Sequence, residues 1–162
     1  MIIVSNTTPL IGLAVIGRFE LLRQLFGKIM IAQAVFDEAV LQSRAQGGAK
    51  EEVSNADWIE VVPVKDRLAV DVLLDELDLG EAETIVLARE VSADWVLMDE
   101  KKGRRKLNEM GFDKIGTAGI LLKAKQTGLL TNIQTDLENL RRDGFSLSQP
   151  VIDAILRQAE EK

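Results

Sequence analysis

The chain has 162 residues, of which 46% are hydrophobic and 28% charged, a composition typical of one globular domain. It contains no histidine, cysteine or tyrosine, which excludes serine–histidine triads, thiol nucleophiles, disulfides and zinc sites built on imidazole or thiolate. Any metal site must therefore use oxygen ligands, which favours Mg²⁺ or Mn²⁺.

The net charge is −6, from 26 acidic and 20 basic residues. A negative chain repels phosphate backbones, which argues mildly against a simple nucleic-acid-binding module. It does not argue against a metal-dependent nuclease, because bound cations neutralise the acidic site. No apolar run reaches the roughly 18–20 residues needed to span a bilayer, and MIIVSNTTPL lacks the features of a secretion signal. We therefore expect no membrane association and, with no cysteine, a cytoplasmic location.

Short strands and helices alternate along the first half of the chain. The β-branched run Ile2–Ser5 predicts a strand, and Thr8 followed by Pro9 predicts the N-cap and first residue of a helix. Arg44–Lys50 contains two adjacent glycines and predicts a loop. The other segments, in order, are predicted as helices Leu10–Ile16 and Phe19–Phe26, strand Lys28–Ile31, helix Ala34–Gln42, a helical turn at Glu51–Asn55 and strand Trp58–Val62.

The second half continues the alternation and ends in helices. Gly80 is expected to break the preceding helix, and Thr117 to cap a later one. The predicted elements are helices Leu68–Leu77 and Glu81–Val91, strand Trp95–Met98, helix Glu100–Met110, strand Lys114–Ile115, and helices Thr117–Lys125, Ile133–Arg142 and Pro150–Glu160.

This order predicts an α/β fold, a three-layer α/β/α sandwich with a central, mostly parallel sheet of four to five strands. We expect one domain over residues 1–162, with the C-terminal helices at about 132–160 packed on the core or on a dimer partner. Sites in such sheets form beyond the carboxyl ends of the strands. That rule selects Asn6 and Asp99, which follow two apolar strands.

Several acids are candidates for chemistry, and each has a structural alternative. Asp99 directly follows an apolar strand, where it is either a functional group or the N-cap of the next helix. Glu81 and Glu83 open a helix, where the helix dipole alone favours acids. Glu38 lies in a predicted helix and is more often a solvated surface residue at such a position.

Five cations occur within six residues directly after Asp99 and Glu100, namely Lys101, Lys102, Arg104, Arg105 and Lys106. A charge run is usually a solvated face. Here it would lie beside the strand ends, where a phosphate backbone must approach a metal-bound water. No aromatic residue interrupts the run, so it does not indicate a base-stacking platform.

Several segments together resemble the PIN-domain family, in particular its compact prokaryotic nuclease-like members. The matching segments, in order, are Val4–Ile11, Ile31–Glu38, Leu79–Glu83, Val96–Arg104 and Ile115–Leu122. None is very specific alone, but the ordered set covers nearly the whole chain.

The resemblance implies a nuclease that gathers acids around one or two Mg²⁺ or Mn²⁺ ions. Carried over by position, the catalytic set falls on Asn6, Glu38, Glu81 and Asp99, with Asn6, Glu81 and Asp99 as metal ligands. Phosphodiester hydrolysis needs an activated water and neutralised phosphoryl charge, and carboxylate-held ions supply both. The resemblance also implies that Glu83 and Glu100 lie next to the metal ligands and support them without binding the metal. Substrate contacts are implied for Thr7, Lys101, Lys102, Arg104 and Arg105.

One position departs from the family pattern, because Asn6 stands where the family has aspartate. An amide oxygen can ligate Mg²⁺ but lacks the charge that attracts it. The leading expectation is therefore a toxin-type endoribonuclease, weakened by Asn6, with RNA as substrate. An antitoxin protein and a homodimer are its expected partners. Two alternatives remain open: a non-catalytic PIN-like module binding RNA or protein, and, more weakly, a phosphoryl-transfer or receiver-like domain using Asp99.

Overall fold

The structure, a computed structural model, describes residues 1–41 and 49–161. Its strands are β1 (Ile3–Ser5), β2 (Ile29–Ala32), β3 (Ile59–Val62), β4 (Trp95–Leu97) and β5 (Asp113–Ile115). Its helices are α1 (Thr7–Val15), α2 (Glu20–Phe26), α3 (Gln33–Phe36), α4 (Lys50–Asn55), α5 (Arg67–Leu73), α6 (Leu79–Val91), α7 (Lys101–Glu109), α8 (Thr117–Gln126), α9 (Gln134–Arg142) and α10 (Gln149–Gln158), and a π-helical turn, Asp37–Leu41, continues α3.

The strands form one sheet in the order β3-β2-β1-β4-β5, and every pair is parallel. The chain builds outward from β1 to β2 and β3 on one side, then returns to place β4 on the other side of β1. The direction of winding therefore reverses between β1 and β4. In open parallel sheets, this reversal opens a crevice at the carboxyl ends of the two strands.

The core residues explain why the central strands lie inside. Ile3, Val4, Val96 and Leu97 are buried, as expected for parallel strands covered by helices on both faces. Helix α6 packs against β1 and β2 and against helices α3, α5 and α7. A second group of helices consists of α1, α8 and α10, in which α8 contacts both of the others.

The predicted α/β architecture is confirmed, with five parallel strands flanked by helices. The C-terminal helices α9 and α10 bury Leu137, Leu140, Ile152 and Leu156 in the main hydrophobic core. Of the described helices, none is long and apolar enough to cross a membrane. The loop predicted at Arg44–Lys50 falls mostly outside the described residues.

Three predicted helix starts or N-caps were wrong, by one or two residues. Helix α1 begins at Thr7 with Asn6 as its N-cap, so Thr8 is not the cap. Helix α6 is capped by Asp78 and includes Gly80 in its first turn, so Gly80 does not break a helix. Helix α8 has Gly116 at its N-cap position, and the Thr117 hydroxyl donates to Asp99 rather than capping the helix.

Candidate functional site

The crevice between β1 and β4 brings Asn6 and the end of β4 together. The residues Ser5 and Leu97 are register partners, and the Asn6 backbone N–H donates to the Leu97 carbonyl at 2.9 Å. Asp99 lies two residues beyond Leu97 at the same edge of the sheet. The edge that the sequence selected therefore lies between β1 and β4, where the direction of winding reverses. Ligand sites of this fold class form at that point.

Asn6 is buried, with 3% of its surface exposed. Its Nδ2 donates to the Met98 sulfur at 3.3 Å, and its Oδ1 lies 3.4 Å from the Thr84 hydroxyl. That hydroxyl has one proton and also lies 2.7 Å from the Gly80 carbonyl, a much better acceptor position. Among the described residues, the amide oxygen of Asn6 thus makes one long polar contact, and it keeps capacity to bind another partner.

Asp99 is held by Thr117, the first residue of α8. Its Oδ1 accepts from the Thr117 backbone N–H at 2.7 Å, and its Oδ2 accepts from the Thr117 hydroxyl at 2.6 Å. A side chain at Gly116 would meet Oδ1 at 2.8 Å, so glycine lets the carboxylate approach the backbone. Burial raises the pKa of Asp99, although the Thr117 hydrogen bonds and the nearby Arg104 charge oppose the rise.

The alternative role of Asp99 as a helix N-cap is wrong. Glu100 occupies the N-cap position of α7, and no side chain caps that helix end. The carboxylate of Asp99 is turned to α8 instead, which leaves it beside the cavity described below.

Glu38 is half-buried, so its interpretation as a solvated surface residue is also wrong. The Thr7 hydroxyl donates a hydrogen bond to its Oε2. Gly80 approaches so closely that a Cβ there would lie 2.6 Å from both carboxylate oxygens. Burial raises the pKa of Glu38, and the negative charges of Asp78 and Glu83 raise it further against the Thr7 and Gly80 hydrogen bonds.

Glu81 combines a structural and an electrostatic role. It forms a capping box with Asp78, in which the Glu81 N–H donates to Asp78 Oδ1 at 2.8 Å and the Asp78 N–H donates to Glu81 Oε1 at 3.1 Å. Burial raises its pKa, and the charges of Asp78, Glu100 and Glu38 add to the rise. The structural alternative considered for Glu81 is therefore present, and the side chain also faces other acids.

The acids associate in pairs. Glu38 and Glu81 repel each other electrostatically, while Glu81 and Asp99 line one cavity of about 860 Å³. Across residues 1–41 and 49–161, no three acidic side chains lie close enough together to form a metal-binding group. The assignment of Asn6, Glu81 and Asp99 as joint metal ligands stays a prediction.

Glu83 and Glu100, predicted to support the ligands, differ from each other. Glu83 is buried, accepts from the Ala34 N–H at 2.9 Å and pairs with Arg67 at 2.7 Å. Its hydrogen bond to Ala34 holds the start of α3 in place. Helix α3 leads into the π-helical turn that carries Glu38. Glu100 is exposed, lines the cavity and acts on Glu81 through its charge.

The predicted substrate-contact residues also divide. Thr7 is buried, and its hydroxyl donates a hydrogen bond to Glu38. Arg104 donates to the Met98 carbonyl at 2.9 Å. Lys101, Lys102 and Arg105 are exposed, and Lys106 pairs with Glu109 at 3.2 Å. All five cations in the run line the cavity or one of the two smaller depressions that share residues with it.

Sequence reasoning missed Thr117 as the partner of Asp99. A signal was available, since Thr117 begins α8 just beyond β5, at the same edge of the sheet, but the residue type suggested only a helix cap. It also missed Gly80 and Thr84, which contact Glu38 and Asn6. Their roles depend on the packing of α6 across the sheet, which no local pattern specifies.

The fold is an α/β domain with acidic side chains beside the carboxyl ends of its parallel strands. A family model described as a PIN domain matches residues 2–161, and the chain therefore belongs to the PIN-domain family. No curated protein matches the chain. PIN domains generally use divalent metals. The oxygen atoms at this edge of the sheet are therefore candidate metal ligands.

The donor set fits a hard divalent cation in its chemistry. All available ligands are carboxylate or amide oxygens, which Mg²⁺ and Mn²⁺ prefer. Three carboxylates carry raised pKa values, so their charge is poorly compensated by the protein and a cation would relieve it. The long polar contact of the Asn6 amide oxygen leaves it available as a neutral ligand.

Proposed function

We propose that this protein is a metal-dependent endoribonuclease that hydrolyses RNA phosphodiester bonds. The observation that carries the proposal is the set of three under-compensated carboxylates, Glu38, Glu81 and Asp99, at the winding reversal of a PIN-type sheet. Raised pKa values at a crevice are typical of residues kept for chemistry rather than for stability.

Glu81 and Asp99 would hold the cation, with the Asn6 amide oxygen as a further ligand, and Glu38 would add negative charge beside Glu81. The bound cation supplies charge neutralisation at the phosphate and activation of water. The protein contributes the positions of the ligands. Thr117 fixes both oxygens of Asp99, and Thr7 fixes Glu38. The capping box with Asp78 fixes Glu81. Fixed ligands lose little freedom when the site fills, which favours catalysis by positioning.

Cleavage of a labelled single-stranded RNA tests the proposal, with Mn²⁺ or Mg²⁺ in one arm and excess chelator in the other. We expect internal cuts with metal and none with chelator. Asp99→Asn should abolish the cuts. Asp113→Asn is the matched control, because Asp113 is an exposed acid at the opposite end of the parallel strand β5. Chelator-resistant cleavage, or equal loss in both variants, contradicts the proposal.

Asn6 is expected to limit the activity, because its amide attracts a cation less than a carboxylate does. Asn6→Asp should therefore raise the rate of Mn²⁺-dependent cleavage at low metal concentration. In chelator the same variant should be less stable than the wild type, because the new carboxylate is buried beside the Met98 sulfur without a positive partner. Equal cleavage rates for the two proteins contradict this role of Asn6.

A second candidate is a non-catalytic PIN-like module that binds RNA or a protein. Two observations favour it: the neutral Asn6 in the first ligand position, and the paired rather than joint arrangement of the described acids. It predicts no cleavage with any divalent metal, and RNA binding that Asp99→Asn leaves intact. The cleavage experiment therefore decides between the two.

A toxin role, an antitoxin partner, a homodimer and a cytoplasmic location are further parts of the proposal. They rest on membership of the PIN family and on the absence of cysteine. Expression of the chain alone, against Asp99→Asn, tests toxicity: growth arrest only with the wild type supports it. The mass of the purified protein in solution tests the homodimer.

A further inference from the structure

Met98, the residue after β4, contacts both the candidate site and the basic helix α7 through one atom. Its side chain is fully buried. The sulfur accepts a hydrogen bond from Nδ2 of Asn6 at 3.3 Å. A Cβ at Gly103 of α7 would lie 2.8 Å from the same sulfur, so glycine leaves the space that the sulfur occupies. The sulfur therefore joins Asn6 to α7 by direct contact.

The backbone of Met98 is held independently of Asn6. Its N–H donates to the Ile115 carbonyl of β5 at 3.0 Å. Its carbonyl accepts from Nη1 of Arg104 at 2.9 Å. Methionine is normally adaptable because it has three rotatable bonds, but here both backbone polar groups are bonded and the side chain is enclosed. The fold, rather than the contact with Asn6, therefore sets the position of the sulfur.

The two ends of the Asn6 amide have opposite hydrogen-bonding chemistry, and a half-turn of the amide would exchange them. The nitrogen faces the sulfur, which can accept a hydrogen bond but cannot donate one. The oxygen lies 3.4 Å from the Thr84 hydroxyl, which also lies 2.7 Å from the Gly80 carbonyl. A hydroxyl that donates to Gly80 could also accept from the amide nitrogen, so Thr84 does not impose the observed orientation. The sulfur is the group that selects it.

This orientation decides whether Asn6 can act as a metal ligand, because only the oxygen of an amide binds a hard cation. Thr84 and Glu81 are three residues apart on α6, and side chains at this spacing are neighbours on a helix surface. The oxygen of Asn6 is therefore turned to the side of α6 that carries Glu81. A reversed amide would present N–H groups to that side and would repel a cation.

We propose that Met98 is a positioning residue, whose sulfur holds the Asn6 amide with its oxygen turned to α6 as a neutral ligand for the cation. The inference rests on the proposed metal-dependent function and adds a residue that orients one of its ligands. An aspartate at position 6 would have two equivalent oxygens and no proton to donate to the sulfur. Met98 therefore matters to an amide at this position and not to a carboxylate.

Nuclear Overhauser effects (NOEs) of the Asn6 side-chain amide protons in chelator report the orientation without metal. These proton signals are identified by their absence from the spectrum of Asn6→Asp. In the wild type we expect their strongest NOE outside the residue to be to the Met98 methyl group. Met98→Leu keeps a buried side chain of similar volume, which cores tolerate well, but removes the acceptor. This variant should gain amide NOEs to the Thr84 methyl group.

The affinity for Mn²⁺ without RNA, measured from the electron paramagnetic resonance signal of free Mn²⁺, tests the consequence. Met98→Leu should bind Mn²⁺ about threefold more weakly than the wild type, which is the effect of losing one modest hydrogen bond. Asn6→Asp combined with Met98→Leu should bind Mn²⁺ within about 1.5-fold of Asn6→Asp alone, because no orientation is left to lose. A merely structural role of Met98 would weaken both proteins by the same factor.

Two further variants separate the sulfur from its surroundings. Met30→Leu is the matched control, since Met30 is a half-buried methionine of β2 in register with Val4 of β1. It should leave the amide NOEs and the Mn²⁺ affinity unchanged. Gly103→Ala places a Cβ against the sulfur and displaces it from Asn6, while alanine itself favours the helix. It should reproduce both effects of Met98→Leu with Met98 still present.

The outcomes separate this inference from the proposed function. Wild-type amide NOEs to Thr84 in place of Met98, or equal weakening of Mn²⁺ binding with asparagine and with aspartate at position 6, overturn the positioning role. The same proteins are then assayed for RNA cleavage with Mn²⁺. The expected pattern of Mn²⁺ affinities without cleavage overturns the nuclease function alone, and cleavage without that pattern overturns the positioning role alone. A wild type that binds no Mn²⁺ overturns both.

Discussion

Two groups of buried and half-buried acids in this domain differ in whether they form an ion pair with a cation of the protein. Glu83 pairs with Arg67 at 2.7 Å, and Asp136 pairs with Arg18 at 3.0 Å. Glu38, Glu81 and Asp99 form no ion pair with any described residue. Their pKa values are raised by burial. The first group is compensated by the protein, and the second is left for an external cation.

This difference teaches which acids serve folding and which serve function. Removing one partner of a buried pair leaves a charge without its counterpart and costs stability. Removing an uncompensated carboxylate relieves repulsion and costs little stability, but it removes a ligand. The two groups should therefore respond to substitution in opposite ways.

The largest effect is expected at Asp99. Asp99→Asn should lower metal-dependent RNA cleavage by roughly a hundredfold or more, because a ligand that neutralises transition-state charge is worth several kcal/mol. Its free energy of unfolding in chelator should stay within about 1 kcal/mol of wild type, since the lost hydrogen bond to Thr117 is offset by the removed buried charge. Initial rates and denaturant unfolding measure the two quantities. A variant that loses stability and keeps activity reverses the assignment.

The next effect is expected at Glu83, in the compensated group. Glu83→Gln keeps an acceptor for the Ala34 N–H but loses the ion pair with Arg67. Because Arg67 is about half exposed, we expect a loss of about 1–2 kcal/mol in unfolding free energy rather than the full cost of a buried pair. Cleavage per folded molecule should change less than threefold. Urea unfolding and activity under native conditions check this, and a hundredfold activity loss would move Glu83 into the functional group.

The dependence of stability on pH separates the groups without measuring activity. A carboxyl with a raised pKa in the folded state holds its proton to higher pH than in the unfolded state. The folded state therefore binds more protons, and stability falls as pH rises from about 4 through the raised pKa values. In chelator, we expect the free energy of unfolding to decrease as pH rises from about 5 towards neutrality. Glu38→Gln should make this decrease smaller, because Glu81 and Asp99 still contribute to it, and a stability that rises over this range contradicts the raised pKa values.

The pKa of Glu161 is shifted in the opposite direction, so this residue changes stability with pH in the opposite sense. Its pKa is lowered by Lys125 and by the backbone N–H groups of Ile133 and Gln134, against the effect of burial. Its contribution is present above the ordinary carboxyl pKa and is lost as pH falls through the lowered value. Because that window lies below about pH 4.5, it does not obscure the decrease expected above pH 5.

The smallest effect is expected at Gly80, which supports Glu38 by leaving space. A Cβ there would lie 2.6 Å from both Glu38 oxygens, so Gly80→Ala should displace the carboxylate. We expect three- to fivefold slower cleavage, equivalent to about 1 kcal/mol or less. Alanine also favours the helix, so stability should not fall by more than about 1 kcal/mol. On a Glu38→Gln background the substitution should have no further effect on cleavage, and an additive loss would show that Gly80 acts elsewhere.

Much of the fold follows from local patterns in the sequence. Apolar runs such as Trp95–Leu97 specified the strands, and their alternation with helices specified a parallel sheet. The edge carrying Asn6 and Asp99 followed from that arrangement alone. Helix starts were less predictable. Thr8 and Thr117 suit an N-cap chemically, but tertiary hydrogen bonds and the preceding strand decide which residue begins each helix.

The site was less predictable than the fold, because its contacts join distant segments. The helical position of Glu38 alone favoured a surface residue, whereas in the structure Thr7 and Gly80 approach its carboxylate. Thr117 binds Asp99 across neighbouring strands β4 and β5, a contact that depends on strand order. Local sequence specifies propensity and polarity, whereas strand order and helix packing depend on the whole chain.

The central claim is that the uncompensated acids at the β1–β4 edge bind a divalent cation, and a crystal soaked in Mn²⁺ tests it most directly. Anomalous scattering locates Mn²⁺ independently of the protein density. The account predicts a peak bounded by Asn6, Glu81 and Asp99 that is missing from crystals of Asp99→Asn. A soaked wild-type crystal with no peak at this edge, or with the same peak in Asp99→Asn, would contradict it.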